Sequence, residues 1–385
     1  MRIEGIADLP LHTGHVPPWL ARIMKRLSKA IVKLILIEYG REGLLRRLAN
    51  PLWFQAFNNA IGMDWDSSGS TTVTTAILKE VLNEINEGIR IAGGKGAIAR
   101  RTPNELETYG EELGLSSRTI SELKAVSVLG AKVDTSLLQD YFTLYHHAIA
   151  FSEDGKWVIV QQGMNIDLKI ARRYHIAWYA SEDLTIEPHT GIASDHIGKY
   201  LNLTDKESIR SRGIILGLIN EGYKKIKNMI IEVNAYLKGL KPLFGGSLPR
   251  PIDKNVCYYR PIRLSNKLLK ILKEAYELRP NSMRDLLLNT NVGPETLRAL
   301  SLISELIYRE PPTLNDPVTT PFSPFKYAFT IGGKDGIPFP VKREIAINVI
   351  KELERIIKDA EVGRKEKLIA LKALSKLAPK DLLSI

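Results

Sequence analysis

The stretch HAIAFSEDGKWVIV, residues 147–160, decides the fold class of this chain. Apolar residues lie on both sides of a polar tetrapeptide that contains Asp154-Gly155. An Asp-Gly pair between two apolar runs is a strong short-range signal of a β-hairpin, because both residues accept the positive φ of a tight turn. The stretch therefore predicts two paired antiparallel strands. A further extended segment is expected near residues 174–179.

The segments around this hairpin have helical periodicity. From residue 20 onward apolar positions recur at intervals of three and four, and basic residues occupy the remaining surface. Eight basic and two acidic residues lie between residues 22 and 47, so the polar side of this helix would either contact phosphate or be solvated. Helical patterns return over residues 208–236. The first two hundred residues are therefore predicted to be mixed α and β.

A glycine- and proline-rich segment, residues 243–251, marks a predicted domain boundary near residue 245. We predict a mixed α+β domain over residues 1–244, which has a small antiparallel sheet and carries the candidate catalytic residues. Residues 245–385 are predicted to form an all-helical domain with a helix-hairpin-helix motif over residues 281–308. The predicted fold class is α+β, predominantly helical.

The composition is that of an ordinary globular protein and excludes several other classes. With 385 residues, 44% hydrophobic and 25% charged, the chain is not collagen-like, low-complexity or wholly disordered. Lys and Arg number 54 against 43 Asp and Glu, and the net charge of +11 favours a polyanionic partner. The single cysteine, Cys257, excludes an internal disulfide and a multi-thiolate metal site. No signal or membrane-spanning run is present, so we expect a cytoplasmic protein with no membrane partner.

The most specific local pattern is MRDLLLNTNVGPET, residues 283–296, which resembles a helix-hairpin-helix DNA-binding motif. Asn and Gly tolerate positive φ in a tight hairpin, and Pro294 suits the first turn of the next helix. Amides of that turn would face outward and bind phosphate, with a hydroxyl contact from Thr296. An ordinary helical hairpin with a glycine corner is the alternative. Thirteen basic and five acidic residues between residues 221 and 279 favour DNA. The predicted DNA-binding residues are Asn291, Val292, Gly293, Glu295 and Thr296.

Helix-hairpin-helix glycosylases with lyase activity resemble the same stretch. They place a Schiff-base lysine two residues after the second glycine of the hairpin, and an aspartate further on. Here the first position is Glu295, and Lys342 stands where the aspartate would be. Both departures argue against the catalytic route of that family.

Eight further strings carry a second, separate resemblance, which covers almost the whole chain. They are ADLPLH at 7–12, VPPWL at 16–20, GMDWDSSG at 62–69, KVD at 132–134, QQGM at 161–164, ARRYH at 171–175, EPHTGI at 187–192 and GGKDG at 332–336. On these strings the chain is identified as a member of an archaeal and bacterial family known as domain of unknown function 763. Together with the hairpin, the resemblance implies a nucleic-acid or DNA-repair role.

Candidate catalytic residues are concentrated in the first 190 positions. Lys132 and Asp134 are predicted to share one face of a strand, where a partly desolvated lysine beside a carboxylate acts as nucleophile or acid–base partner. A surface ion pair is the alternative. His146 and His147 are adjacent and would face opposite sides of a strand, so they are not expected to bind one metal ion. The catalytic candidates are Lys132, Asp134, His147, His175, Asp8 and His12.

Candidate substrate-binding residues follow in the predicted strands. The amides of Gln161 and Gln162 would hydrogen-bond an extruded base or the backbone. Arg172, Arg173 and Tyr174 combine charge with a stacking ring, which suits single-stranded or flipped nucleic acid. Arginines that satisfy acidic neighbours around a packed tyrosine are the alternative. His189 completes the set, as a partner for Asp134 or Asp8 in a metal or proton-transfer site.

No cofactor is firmly implied, and a divalent metal ion would be required only by a nuclease. The turn at residues 64–72 is rich in hydroxyl groups and predicts a helix cap or a phosphate nest. We expect a DNA-binding protein whose partner is duplex or damaged DNA. Its expected activity is DNA repair, either as a glycosylase or lyase on damaged bases and abasic sites or as a nuclease on phosphodiesters. The alternative is a non-catalytic nucleic-acid-binding or scaffold protein, and the oligomeric state is not predicted.

Overall fold

The computed structural model describes residues 18–61, 69–194, 196–239 and 255–319, together with parts of 351–371. The helices are α1 (Pro18–Leu48), α2 (Pro51–Ala60), α3 (Gly69–Ile85), α4 (Thr102–Glu112), α5 (Ser117–Lys132), α6 (Ile209–Glu221), α7 (Tyr223–Leu237), α8 (Asn266–Leu278), α9 (Met283–Asn289) and α10 (Pro294–Leu306). The strands are β1 (Ile89–Lys95), β2 (Leu138–Gln139), β3 (Thr143–Ser152), β4 (Trp157–Asn165), β5 (Ile170–Ala177), β6 (His189–Ala193), β7 (Lys199–Asn202) and β8 (Thr313–Asn315).

Five strands form an antiparallel sheet in the order β1-β3-β4-β5-β6. Strands β3 and β4 are the predicted hairpin, with Ile149 paired to Ile159. Its turn contains Gly155, whose φ of 77° is the left-handed conformation expected of an Asp-Gly turn. The hairpin prediction is confirmed. The extended segment predicted near residues 174–179 is β5, which begins and ends earlier in the chain.

Side-chain alternation gives the sheet two buried faces. One face packs against α1, α2 and α3 through residues such as Ala148, Ala150, Val158 and Val160, and is called the α3 face. The other packs against α4, α5 and the later helices through Ile149, Phe151, Trp157 and Ile159, and is called the α5 face. Because both faces are covered, a polar side chain in the middle of these strands is buried whichever way it points.

The later helices belong to the core of the α5 face. Helix α10 is buried from Thr296 to Leu306 and shares one hydrophobic cluster with Ile159 and Ile176 of the sheet. A second antiparallel sheet, β2-β7-β8, joins residues that are far apart in the chain. The prediction that residues 245–385 form an all-helical domain is wrong, because strand β8 lies in this part of the chain and completes the second sheet. The α+β class is confirmed, whereas the predicted boundary lies in residues 240–254, outside the described part.

Helix α1 is the basic helix predicted from the sequence, and carboxylates of α3 neutralise part of its charge. The ammonium Nζ of Lys25 lies 3.1 Å from Glu80 Oε2 and also contacts Glu84. Lys29 Nζ lies 3.2 Å from Glu84 Oε2. This charge pairing joins α1 to α3 and argues against phosphate contact on that side. Although α1 has 31 residues, neither it nor any other helix within the described ranges is apolar enough to cross a bilayer.

Candidate functional site

Strand alternation divides the predicted site residues between the two faces of the sheet. His146 contacts Thr75 Oγ1 of α3 at 3.1 Å through Nε2, whereas His147 contacts Ser127 Oγ of α5 at 2.8 Å through its own Nε2. The prediction that these histidines face opposite sides is confirmed. The α5 face also carries Gln161, Arg172 and Tyr174, and the α3 face carries Gln162, Arg173 and His175.

Five side chains on the α5 face form a continuous hydrogen-bonded chain, which we call the Asp134 network. Its members are Ser127, His147, Gln161, Asp134 and His189. His147 Nδ1 lies 2.8 Å from Gln161 Oε1, and Gln161 Nε2 donates to Asp134 Oδ2 at 2.5 Å. His189 Nε2 lies 2.6 Å from Asp134 Oδ1. The structure thus brings together two predicted catalytic and two predicted substrate-binding residues, together with a serine that the sequence did not indicate.

The partners of Gln161 determine where the protons lie. Its Nε2 also donates to the carbonyl of Gly130 at 3.1 Å, so both amide hydrogens are used and Oε1 must accept from His147. His147 therefore carries its proton on Nδ1, and its Nε2 accepts from the hydroxyl of Ser127. Burial lowers the pKa of His147, which keeps the imidazole neutral. The hydrogen bonds donated by Ser127, His147 and Gln161 thus follow one another toward the carboxylate of Asp134, and His189 contacts the other oxygen of the same carboxylate.

A serine that donates to a histidine is the starting arrangement of nucleophilic catalysis. Here Ser127 is 3% exposed and His147 is 7% exposed, so both lie beneath the surface. Two hydrogen bonds compensate the buried charge of Asp134. The arrangement can hold His189 in one orientation, and the hydrogen bond between Ser127 and His147 is buried.

Lys132 and Asp134 do not share a strand face, contrary to the prediction. Lys132 is the last residue of α5, and Asp134 lies in the π-helical turn Val133–Leu137. The two side chains diverge because helical geometry separates positions two apart. Lys132 Nζ donates to the carbonyl of Thr290 at 2.9 Å and also to that of Leu287. It therefore caps the carboxyl end of α9, and burial lowers the pKa of its amine.

A second buried group, the Arg172 cluster, contains Arg172, Asp140, Tyr174 and Asp316. Arg172 forms two parallel hydrogen bonds with Asp316, at 3.0 and 2.9 Å, and one with Asp140 at 2.9 Å. Tyr174 donates its hydroxyl to the same Asp140 oxygen at 2.7 Å. Both Arg172 and Tyr174 are completely buried, so they lie in the core. This arrangement fits the alternative prediction of an arginine that satisfies acidic neighbours beside a packed tyrosine.

The α3 face holds Arg173 and His175. His175 donates from Nδ1 to the carbonyl of Leu48 at 2.8 Å, and its Nε2 accepts from Arg173 Nε at 3.0 Å. Burial lowers the pKa of His175 well below its usual value, in agreement with a neutral ring. Arg173 also donates to Gln55 Oε1 at 3.0 Å and to the carbonyl of Pro51 at 3.1 Å. His175 therefore orients Arg173, and the sheet separates both from the Asp134 network.

The predicted hairpin is formed by α9, residues 290–293 and α10. Neither Asn291 nor Gly293 adopts a positive φ, contrary to the prediction, and Gly293 is extended at φ −134°. The turn is instead stabilised by Thr290, whose hydroxyl accepts from the amide of Val292 at 3.1 Å. Thr296 is 2% exposed, which does not fit the predicted hydroxyl contact with DNA.

Two features of the hairpin face outward. Gly293 precedes α10 with no side-chain cap, and Pro294 occupies the first turn, so amides at this end have no partner within the helix. Asn291 is exposed, and its side-chain amide donates to Glu274 Oε2 of α8 at 3.3 Å. Glu295 is also exposed and accepts from Arg298 at 2.9 Å. The hairpin thus presents a helix N-terminus next to one side of α8.

Residues that sequence reasoning missed are mostly distant in the chain from their partners. They are Ser127, Gln55 and Asp316, none of which lies in a motif. Asp8 and His12 lie outside the described residues. Within the described ranges no group of three or more His, Cys, Asp or Glu side chains is arranged to hold a metal ion.

Comparison with known proteins gives one match. The model of a family described as a protein of unknown function (DUF763) matches residues 5–341. Neither a curated protein nor a solved structure matches the chain.

Proposed function

Since the chain belongs to the DUF763 family of proteins of unknown function, we propose from its geometry that it is a DNA-binding protein that uses the α9–α10 hairpin as a helix-hairpin-helix element. The observation that carries the proposal is the N-terminus of α10, which has no side-chain cap and lies in a hairpin that contacts α8, a helix with exposed lysines. Helix N-termini bind phosphate because unpaired amides and the helix dipole both favour negative charge. Such contacts hold the sugar-phosphate backbone without reading base sequence.

The cationic residues form a row along one side of α8. Lys267 and Lys270 are three positions apart and lie on the same side of the helix, and Arg263 precedes its N-terminus. Lys270 Nζ lies 3.8 Å from Glu274, the residue that contacts Asn291 of the hairpin. Arg263 and Lys267 are exposed and have no ion-pair partner within the described ranges. The row therefore leads along α8 toward the hairpin, and Arg263 and Lys267 are its cations without a carboxylate partner within the described ranges.

Two internal contacts fix the hairpin to the rest of the protein. Lys132 caps α9, and Gln139 Nε2 donates to the carbonyl of Pro294 at 2.8 Å. Both residues belong to the segment that carries Asp134. A strand bound at the hairpin would therefore be held at a defined position relative to the Asp134 network.

Charge reversal on α8 tests the proposal. In Lys267→Glu/Lys270→Glu we expect affinity for a short labelled DNA duplex to fall about tenfold or more, and the salt dependence of log K to weaken by about two, because two phosphate contacts are lost. The measurement is fluorescence anisotropy between about 50 and 200 mM salt.

The matched control is Arg100→Glu/Arg101→Glu. It changes the net charge equally at two exposed residues in a segment packed against β1, β3 and α4. Its affinity should stay within about threefold of the wild type. Equal losses in both variants would indicate a general charge effect and contradict a hairpin-centred site, as would the absence of salt-sensitive binding by the wild type.

Catalysis on the bound DNA is the second candidate function, and one observation favours it. Lys132 is an amine with a pKa lowered by burial, and it lies against the carbonyls at the start of the hairpin turn. A lysine amine in its unprotonated form attacks the aldehyde carbon of an abasic site and forms a Schiff base, with loss of water. This role corresponds to a DNA-repair glycosylase or lyase; a non-catalytic DNA-binding or scaffold protein is the alternative.

Borohydride trapping distinguishes the lyase function from a non-catalytic DNA-binding or scaffold function. The lyase function predicts a covalent adduct with abasic DNA in the wild type, its loss in Lys132→Arg, and its retention in Lys124→Arg, a surface lysine on the same helix that pairs with Glu107. Arginine retains the charge and the hydrogen-bond donors but cannot form the Schiff base. If the wild type forms no adduct, or if Lys132→Arg still forms one, lyase chemistry at Lys132 is rejected. The proposal of DNA binding does not depend on either result.

A further inference from the structure

Tyr141 is held in an unfavourable backbone conformation at the bend between β2 and β3. Its φ is 63°, and no other aromatic residue in the described part of the chain has a positive φ. Bulky side chains rarely adopt this conformation, because the Cβ atom then crowds the backbone. Both neighbours are buried: Asp140 is 1% and Phe142 is 3% exposed, and the carboxylate of Asp140 accepts from the amide of Phe142 at 3.1 Å. Tyr141 therefore projects outward between two fixed residues.

The side chain of Tyr141 is buried at its polar end. Its hydroxyl forms a hydrogen bond with the side chain of Cys257, and burial raises the pKa of Tyr141 to about 12, although Arg298 and Arg260 oppose the shift. The residue as a whole is nevertheless 45% exposed, so its accessible surface is largely that of the ring. Tyrosines normally bury the ring and leave the hydroxyl in water, since this removes apolar surface from solvent. The reverse arrangement leaves an aromatic surface that a partner can cover.

A second tyrosine supports this ring from inside the protein. Tyr200 of β7 packs against Tyr141 with ring centroids 5.9 Å apart and planes inclined by 67°. Tyr200 is 8% exposed, and the guanidinium of Arg172 lies 5.5 Å from the centroid of its ring. Tyr141 thus has two contacts that fix it, through its hydroxyl and through its ring. Little conformational freedom is therefore lost when a flat ligand packs against the exposed side.

Tyr141 lies close to the N-terminal end of α10. Two residues earlier in the chain, Gln139 Nε2 donates to the carbonyl of Pro294, the first residue of α10, at 2.8 Å. Arg298, in the next turn of α10, donates to the carbonyl of Arg260 at 2.6 Å. These contacts join the bend at Tyr141 and the segment before α8 to the same helix end. The exposed ring is therefore near the amides proposed to bind phosphate.

The charge around the ring favours a nucleic acid over an apolar protein surface. Arg260 is exposed and has no ion-pair partner among the residues that the structure describes. It lies three positions before Arg263, where the cationic row of α8 begins. The other nearby cation, Arg298, is paired with Glu295 at 2.9 Å. An exposed aromatic ring beside an arginine without a carboxylate partner suits an unstacked nucleotide, whose base stacks while its phosphate contacts the cation.

We propose that Tyr141 and Arg260 form a binding site for an unpaired nucleobase and its phosphate, in a strand held at the α9–α10 hairpin. Because this site rests on the proposed DNA-binding function, it specifies the substrate class: duplex DNA with a single-stranded extension or gap. A base inside an intact duplex is already stacked and paired, and its extrusion is costly, whereas a base beyond the last pair is available to the ring. Stacking tolerates every base, so no sequence preference is expected.

A comparison of two DNAs tests the site. One is a blunt duplex, the other is the same duplex with a short single-stranded extension, and fluorescence anisotropy measures both affinities. The wild type should bind the extended DNA about tenfold more tightly. In Tyr141→Ala this preference should disappear while the affinity for the blunt duplex stays within about threefold, because only base stacking is lost. Tyr141→Phe should keep the preference, since it retains the ring and loses only the bond to Cys257.

A matched control and a second readout accompany this comparison. Tyr39→Ala removes a similarly exposed tyrosine of α1, at 42%, and should leave the preference unchanged. Circular dichroism checks that each variant is folded. Should Tyr141→Ala fail to fold, a fluorescent adenine analogue at the first unpaired position reports stacking directly. The wild type and Tyr141→Phe should quench its fluorescence, and Tyr141→Leu should not.

Several results would overturn the stacking site. They are equal affinity of the wild type for the two DNAs, a preference that survives in Tyr141→Ala, and a preference lost in Tyr141→Phe. Equal affinity together with self-association that Tyr141→Ala abolishes, measured by sedimentation, would assign the ring to a second copy of this chain instead.

The hairpin site and the stacking site have separate readouts. Lys267→Glu/Lys270→Glu should weaken binding of both DNAs alike and keep the preference for the extension, whereas Tyr141→Ala should change the preference alone. A wild type that binds the blunt duplex in a salt-sensitive way without preferring the extension contradicts only the stacking site. A wild type that binds neither DNA contradicts the proposed DNA-binding function as well.

Discussion

Arg172→Met is expected to lower the free energy of unfolding by about 3–5 kcal/mol, because it leaves two buried carboxylates without their counter-charge. Arg172 is completely buried, and its guanidinium binds Asp140 and Asp316, which are also buried. Methionine has a similar length and fills most of the same space, so the loss reports charge rather than a cavity. The effect is large because carboxylates in the core cannot regain the solvation that they have in the unfolded chain.

Chemical denaturation in urea measures this loss. The control is Arg118→Met, which removes an exposed pair with Glu122 and should change stability by less than about 1 kcal/mol. Adding Asp140→Asn to Arg172→Met should restore part of the stability, since one of the two unpaired charges is then absent. A loss below about 1 kcal/mol in Arg172→Met would contradict the role of this residue as the centre of the cluster.

The stability of the wild type relative to Asp140→Asn is expected to decrease as the pH rises from 4 to 7. Burial raises the pKa of Asp140 from 3.8 to about 6, although Arg172 and the hydroxyl of Tyr174 oppose the shift. The folded state therefore keeps a proton that the unfolded chain releases between these two values. The stabilisation from this proton is complete below pH 3.8 and is lost as the pH rises through 6. The full difference is on the order of 3 kcal/mol.

Urea denaturation of both proteins at several pH values provides the measurement. Asp154→Asn is the control of opposite sign, because Ser152 and Lys156 lower the pKa of Asp154 despite partial burial. The wild type should gain stability relative to Asp154→Asn as the pH rises through the acidic range, by a small amount because the group is partly exposed. A constant difference between wild type and Asp140→Asn from pH 4 to 7 would show that Asp140 keeps an ordinary pKa.

Local pattern in the sequence determined the β3–β4 hairpin, the basic helix α1 and the two helices around residue 292. Alternation along a strand also determined that His146 and His147 face opposite sides, since the side-chain period of two is a property of the strand itself. The matching family model confirms the family that the quoted strings indicated. These inferences succeeded because each depends on residues a few positions apart, where backbone geometry fixes the relation.

Only the tertiary structure decided which polar residues meet. Arg172 binds Asp316, 144 positions away, and Lys132 binds the carbonyl of Thr290, 158 positions away. The sheet separates Arg173 and His175 from the Asp134 network although they are close in sequence to Arg172 and Tyr174. No local period encodes such contacts, because they depend on how helices and strands distant in the chain pack around a shared core. For this protein the sequence determined the elements and their faces, and packing determined the chemistry available on each face.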